Sequence, residues 1–65
     1  MMNVEGKIMM METKRAMTVE YLNEYKRYNK EYNTNTMDRY IERCEEVIAK
    51  YDLMIDELKS YIIEG

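Results

Sequence analysis

Acidic side chains and a single cysteine are the residues of this chain whose types could support chemistry. The carboxylates form two groups, which consist of Glu42, Glu45 and Glu46, and of Asp52, Asp56 and Glu57. Di-iron sites in helical bundles combine inward-pointing glutamates with histidines, but this chain contains no histidine. We therefore predict a solvated acidic surface without a metal ion. Its combined field would also suit an acidic mimic of a nucleic-acid backbone.

Cys44 is the only cysteine, so an intrachain disulfide cannot form. Without a histidine in the chain, its thiol lacks the base that usually activates a catalytic cysteine. We predict that Cys44 is a small apolar core residue. A glycine-rich phosphate loop is also missing, since the two glycines are Gly6 and Gly65. The sequence therefore predicts a protein that is not an enzyme and that needs no cofactor.

One carboxylate, Asp38, lies in the segment TNTMDRYI, residues 34–41. This segment resembles the Ser-Gln-x-Leu-Asp motif of the small sporulation-control phosphatases, which are helical hairpins that act on the aspartyl phosphate of a response regulator. Met37 and Asp38 correspond to the Leu-Asp pair, whereas Thr34 and Asn35 replace the serine and the glutamine. The resemblance implies an alternative function in which Asp38 is the functional carboxylate.

The charge distribution argues against nucleic acid and membrane as partners. Lys26, Arg27 and Lys30 alternate with tyrosines, a pattern that can contact phosphates and stack on bases. The net charge is nevertheless −3, and residues 38–65 carry eight acidic against four basic side chains. Nucleic-acid binding usually requires a strongly basic face. The longest apolar run, residues 8–11, is too short to cross a bilayer, so we expect a cytoplasmic protein.

Residues 37–62 show the clearest helical pattern. With Met37 at heptad position a, apolar or aromatic residues occupy all of positions a, d and e over four heptads: Met37, Tyr40, Ile41, Cys44, Val47, Ile48, Tyr51, Met54, Ile55, Leu58, Tyr61 and Ile62. Such a stripe is wider than the seam of a two-stranded coiled coil and is typical of a helix in a bundle. The pattern predicts a helix over about residues 36–63, and we predict that these twelve residues form the core of an oligomer.

The first half of the chain carries a second stripe, made of tyrosine and methionine. At about 100° per residue, six of these side chains fall on one side of a helix: Met10, Met17, Tyr21, Tyr25, Tyr28 and Tyr32. The pattern predicts a helix over about residues 7–33, long enough to match its neighbour. Alternatively, Thr18 caps a shorter helix, and residues 1–16 form a tail.

Asn33, Thr34 and Asn35 separate the two stripes and favour turn conformations. We therefore predict an all-α fold, an antiparallel two-helix hairpin that forms one domain over residues 1–65. Because neither glycine nor proline enforces this turn, one unbroken helix in a long coiled coil is the alternative. A lone hairpin cannot cover both stripes, so we expect a homodimer that forms a four-helix bundle.

The tyrosine–methionine stripe leads to the functional interpretation. Tyrosines on a helix face are often core or rim residues whose hydroxyl groups reach water. They also provide large contact areas at low entropic cost and are enriched in binding hot spots. We predict a small regulator or inhibitor whose stripe binds a larger protein. The frequent asparagine, lysine, isoleucine and tyrosine suit a low-GC bacterium or its phage, where a repressor, polymerase or defence enzyme would be the target.

Overall fold

The structure, a computed structural model, is a pair of long antiparallel helices. It describes residues 3–64, with side chains as far as residue 62. Helix α1 spans Val4–Glu31 and helix α2 spans Asp38–Glu64, and this range contains no strand. The hairpin measures 50 × 16 × 14 Å. The predicted all-α hairpin is therefore confirmed, and the alternative of one unbroken helix is wrong.

Helix α1 begins three residues before its predicted start because Asn3 caps it. The Asn3 side-chain oxygen accepts hydrogen bonds from the amides of Glu5 and Gly6 at 3.0 and 3.4 Å. These bonds satisfy two of the amides that a helix N-terminus leaves free. Thr18 is not a cap but lies inside the helix, where its hydroxyl donates to the Lys14 carbonyl at 2.9 Å. Residues 4–16 are thus helical and do not form a tail.

The turn occupies residues 32–37, so it is longer than the predicted break at residues 33–35. Asn33 has a φ of 50°, and the amide of Thr34 bonds to the Asn29 carbonyl at 2.9 Å. The Asn33 amide bonds to the Lys30 carbonyl at 3.4 Å, which completes a Schellman motif with asparagine in the left-handed position. Helix α1 consequently ends two residues before its predicted end, and α2 starts at Asp38 instead of residue 36.

We call the contact between the two helices the seam. Its residues recur at alternating intervals of four and three, which is coiled-coil spacing. On α1 the half-buried or buried members are Val4, Ile8, Met11, Arg15, Thr18, Leu22, Tyr25 and Asn29. The seam residues on the other side are Met37, which comes just before α2, and Ile41, Cys44, Ile48, Tyr51, Ile55 and Leu58 of α2.

The seam is a thin core. Among the described residues, only Ile8, Leu22 and Ile55 fall below about a tenth of their full exposure. A domain of this size is marginal even when it buries about 60% of its unfolded surface. The hairpin therefore has little apolar burial of its own to offset the entropy of ordering two long helices.

Three contacts across the seam fix the alignment of the helices. Arg15 pairs with Asp52, Asn29 with Asp38, and the ring of Tyr25 stacks on that of Tyr40. In each pair the two residue numbers add up to between 65 and 67. Residues of α1 and α2 whose numbers add up to about 66 therefore lie at the same level along the hairpin. By this register, Val19 lies level with Val47.

Candidate protein-binding face

The seam divides the hairpin surface into two broad faces, and large apolar side chains collect on one of them. We call this surface the tyrosine–methionine face. On α1 it consists of residues that flank one edge of the seam. On α2 it consists of the four residues that come one position before Ile41, Ile48, Ile55 and Ile62. Its members are Met10, Met17, Tyr21, Tyr28 and Tyr32 of α1 and its C-cap, and Tyr40, Val47, Met54 and Tyr61 of α2.

The antiparallel arrangement brings the two rows to the same side of the hairpin. In two antiparallel helices, residues that come just before equivalent seam positions lie along the same edge of the seam. Two observations agree with this geometry. Lys7 and Met11 of α1 line a shallow cavity of about 200 Å³ together with Met54 and Leu58 of α2. At the other end of the hairpin, Tyr40 reaches the ring of Tyr25.

The side chains of this face are open to solvent in the single chain. Tyr61 is 66% exposed, Tyr40 is 56% exposed and Tyr21 is 51% exposed. The rings of Tyr28 and Tyr32 contact each other at a tilt of 48°, with ring centroids 4.6 Å apart, and both side chains remain exposed. An exposed apolar surface of this kind is typical of a protein-interaction site.

Two sets of residues that the sequence assigned to different roles meet on this face. Met10, Met17, Tyr21, Tyr28 and Tyr32 come from the predicted partner-binding stripe. The d positions of the second helix, which were predicted to lie in an oligomer core, supply the α2 side of the face. Its exposed members are Tyr40, Met54 and Tyr61, while Val47 is half-buried.

The other residues of the two predicted sets lie in or beside the seam. Tyr25 is half-buried there, with its ring centroid 5.4 Å from that of Tyr40, so the hairpin itself uses part of its surface. The a and e positions of the second helix contact α1, with the exception of Ile62, which is 44% exposed. Those seam residues are Met37, Ile41, Cys44, Ile48, Tyr51, Ile55 and Leu58.

The opposite face, which we call the polar face, holds the polar contacts between the helices. The Arg15 guanidinium donates to Asp52 through Nε at 2.6 Å and through Nη2 at 3.5 Å. Near the turn, Asn29 donates to Asp38 at 3.0 Å and accepts from the Met37 amide at 3.0 Å. Sequence patterns did not identify Arg15 and Asn29, although their places in the four–three spacing mark them as seam positions.

Asp38, the carboxylate singled out by the phosphatase resemblance, lies in the first turn of α2 and is exposed. Its side chain accepts the hydrogen bond from Asn29, and its amide bonds to the Asn35 carbonyl at 3.1 Å. Its negative charge is favourable at this end of the helix dipole. These contacts give Asp38 a part in joining the turn to α2.

The other candidate charged groups are exposed. Within the two carboxylate clusters, Asp52 pairs with Arg15, and Glu46 lies 3.8 Å from Arg43. Arg27 shares a surface hollow with Glu20 and Glu24, so acidic side chains surround this member of the basic set. Among the residues described, no group of three or more acidic, histidine or cysteine side chains is arranged to hold a metal ion.

Comparisons with protein-family models, with curated proteins and with solved structures find no match for this chain. Neither helix, over its described residues, is long and apolar enough to cross a membrane. The two faces of the hairpin are therefore the features from which a function can be inferred.

Proposed function

We propose that this chain is a small non-catalytic regulator or inhibitor that occupies the surface of a larger protein. The observation that carries the proposal is the tyrosine–methionine face, where large side chains such as Tyr21 and Tyr61 stay exposed after the hairpin has formed. Tyrosine and methionine are enriched in interface cores because tyrosine loses little entropy on binding and methionine adapts its shape to the partner.

The face has the form expected for recognition along helices. Met10, Met17, Tyr21 and Tyr28 follow one side of α1 at helical intervals, which is how amphipathic helices present anchors to an apolar groove. The partner is a larger cytoplasmic protein of a low-GC bacterium or its phage, such as a repressor, a polymerase or a defence enzyme. The frequent asparagine, lysine, isoleucine and tyrosine of the chain support a low-GC host.

Self-association belongs to the same proposal. The seam buries only three apolar side chains among the described residues, while a second apolar surface remains uncovered. Pairing two hairpins into a four-helix bundle would cover that surface and supply the burial that each chain lacks. The chain without its target is therefore proposed to be a homodimer, and a target that binds the tyrosine–methionine face would have to displace the second copy.

A capture experiment with matched variants tests the proposal. Wild-type protein, a face variant (Tyr21→Glu with Tyr28→Glu) and a control variant (Glu12→Lys with Lys26→Glu, both exposed positions away from the face) are immobilised and exposed to host lysate. We expect the wild type and the control to retain one stoichiometric partner and the face variant to lose it. Equal capture by all three proteins, or by none, would contradict the proposal.

The same proteins separate the two other interpretations. A phosphatase related to the sporulation-control family would release phosphate from a phosphorylated response regulator, and Asp38→Ala would abolish that release. A mimic of nucleic acid would bind a DNA-binding protein in competition with DNA and with a steep salt dependence. A regulator that works through the tyrosine–methionine face would be insensitive to Asp38→Ala, provided that the variant remains helical.

A further inference from the structure

We propose that the tyrosine–methionine face binds a second copy of this chain, with the two α1 helices side by side and antiparallel. The two-fold axis crosses the hairpin at the level of Val19 and Val47. This inference rests on the proposed function in that the chain pairs with itself. It adds the face, the direction and the register of that pairing, which decide what a larger target would have to displace.

The order of side chains along α1 is compatible with antiparallel pairing of two copies. Met17 and Tyr21 stand two residues before and after Val19, and Met10 and Tyr28 stand nine residues before and after it. Two antiparallel copies centred on Val19 therefore place each methionine level with a tyrosine of the other copy. Contact between methionine sulfur and an aromatic ring is favourable.

Charges on the same face repeat this symmetry with opposite signs. Lys14 stands five residues before Val19 and Glu24 five residues after it, so each lysine of one copy lies level with a glutamate of the other. Lys7 and Glu31 continue the pattern at twelve residues, although Lys7 already interacts within its own chain. An isologous interface needs this kind of self-complementarity.

The order of side chains along α2 independently places the axis at the same level. Tyr40 and Met54 stand seven residues before and after Val47, so these three members of the α2 row are symmetric about Val47, and Tyr61 lies beyond them. The hairpin register, set by the contacts Arg15–Asp52 and Tyr25–Tyr40, places Val47 level with Val19. The symmetric members of both rows thus share one centre, and a single two-fold axis can satisfy them together; Tyr32 and Tyr61 lie outside this symmetric set.

The centre of the α2 row suits close packing of the two copies. Val47 is its smallest member and would face its own copy across the axis. Arg43 of one copy and Lys50 of the other come within one residue of the same level beside it, and Glu46 offsets part of this repulsion because it lies 3.8 Å from Arg43. Opposite charges on α1 and not on α2 therefore set the direction of pairing.

The size of the face is sufficient for a stable dimer. A fully exposed tyrosine presents about 200 Å², so the five exposed tyrosines alone offer on the order of 500 Å² per chain. Three exposed methionines, Met10, Met17 and Met54, enlarge this apolar surface. Together they approach the roughly 800 Å² that each partner contributes to an interface of standard size.

Exchange of charges tests the register. Lys14→Glu alone and Glu24→Lys alone each place like charges level across the axis, and we expect each to weaken the dimer about tenfold in sedimentation equilibrium. An equimolar mixture of the two variants restores both opposite-charge pairs, so it should form a heterodimer of near wild-type affinity. The double variant Lys14→Glu with Glu24→Lys should also recover.

The control carries the same two changes of charge away from the face. Glu12→Lys and Lys26→Glu, separately and mixed, should leave the dissociation constant of the dimer within about twofold of the wild type. A wild-type chain that sediments as a folded monomer at micromolar concentration would overturn the inference. A wild-type dimer whose Lys14→Glu and Glu24→Lys variants neither weaken nor pair selectively would overturn the register.

A disulfide across the axis gives a direct measure of the geometry. In a Cys44→Ala background, Val47→Cys should form an interchain disulfide in the oxidised protein, because residue 47 faces its own copy. Ala49→Cys in the same background lies on the outer surface of α2 and should stay largely monomeric on a non-reducing gel. Equal cross-linking of the two variants would contradict the placement of the axis.

These results are separable from the test of the proposed function. If the wild type is monomeric and yet the face variant loses its captured protein, a heterologous partner occupies the face; the homodimer and its register then fail, and the proposed binding of a larger protein stands. If the charge exchange behaves as expected but no protein depends on the face for capture, the dimer stands and the proposed regulation of a larger protein fails.

Discussion

The two broad faces of the hairpin differ in how they use their side chains. The polar face joins the helices through Arg15–Asp52 and Asn29–Asp38, so its side chains are already committed within the chain. The tyrosine–methionine face contributes one stack across the seam, Tyr25 on Tyr40, and leaves its other large side chains exposed. One face therefore fixes the register of the hairpin, while the other keeps a surface available for a partner.

This difference separates stability from binding in a chain that has little core. Directional contacts, such as the bidentate hydrogen bonding of Arg15 to Asp52, favour one alignment of two helices. Apolar area contributes more free energy when covered, but it sets the alignment less strictly. We expect substitutions on the polar face to change the stability and register of the hairpin, and those on the tyrosine–methionine face to change assembly.

The largest expected effect is unfolding of the hairpin, which would abolish both faces. Ile55 is 6% exposed in the seam, so Ile55→Asp would bury an unpaired carboxylate at a cost of several kcal/mol. Circular dichroism should show loss of helix at room temperature. Leu53→Asp, two residues away at a position 67% exposed, should retain the helical signal. A folded Ile55→Asp variant would mean that the seam is placed wrongly.

The next prediction divides the tyrosine–methionine face itself. Tyr40→Ala removes the stack on Tyr25 and should lower the free energy of unfolding by about 2 kcal/mol. Tyr61→Ala removes a ring of similar exposure that has no stack among the described contacts and should cost less than about 1 kcal/mol. Urea denaturation of the two variants at equal concentration measures the difference, and equal losses would show that the stack contributes nothing.

Sequence patterns predicted the helices well and the seam only in part. On α2, the isoleucines at 41, 48 and 55 are apolar without exception, so periodicity identified them as core. On α1, the seam includes Arg15, Thr18 and Asn29, which interrupt any apolar stripe. The strongest stripe of α1 is therefore its exposed one, because periodicity detects an apolar side of a helix but not what covers it.

The candidate site was predictable as a set of residues but not as one surface. Tyrosine and methionine identified the α1 row, and heptad counting identified Tyr40, Met54 and Tyr61. Their meeting on one face depends on the antiparallel register, which long-range pairs such as Arg15–Asp52 determine. A single sequence gives no signal for a contact between side chains 37 residues apart.

On the polar face, Asn29 should matter more than its exposed neighbours. Asn29→Ala removes the acceptor of the Met37 amide and the donor to Asp38, and we expect a loss of about 1 kcal/mol because alanine regains some helix propensity. Asn23→Ala, at an exposed position of α1, should leave stability unchanged or slightly raised. Thermal unfolding of both variants checks this, and identical midpoints would show that the turn does not depend on Asn29.

The smallest effect should come from the ion pair of the polar face. Asp52→Asn keeps the shape of the side chain but removes the charge that Arg15 contacts at 2.6 Å. Because the two side chains are 40% and 51% exposed, solvent screens the pair, and we expect a loss of only about 0.5 kcal/mol. The difference from wild type should shrink further at about 1 M salt, where the screening length falls to roughly 3 Å. Asp56→Asn, one turn later on the outer surface of α2, is the matched control and should show no such salt-dependent difference.

If Asp52→Asn instead leaves stability intact but broadens the amide resonances of both helices, the pair selects the register without stabilising it, which would strengthen the contrast between the two faces. A loss of several kcal/mol that persists at high salt would contradict this contrast, because the polar face would then provide stability that we expect from the seam.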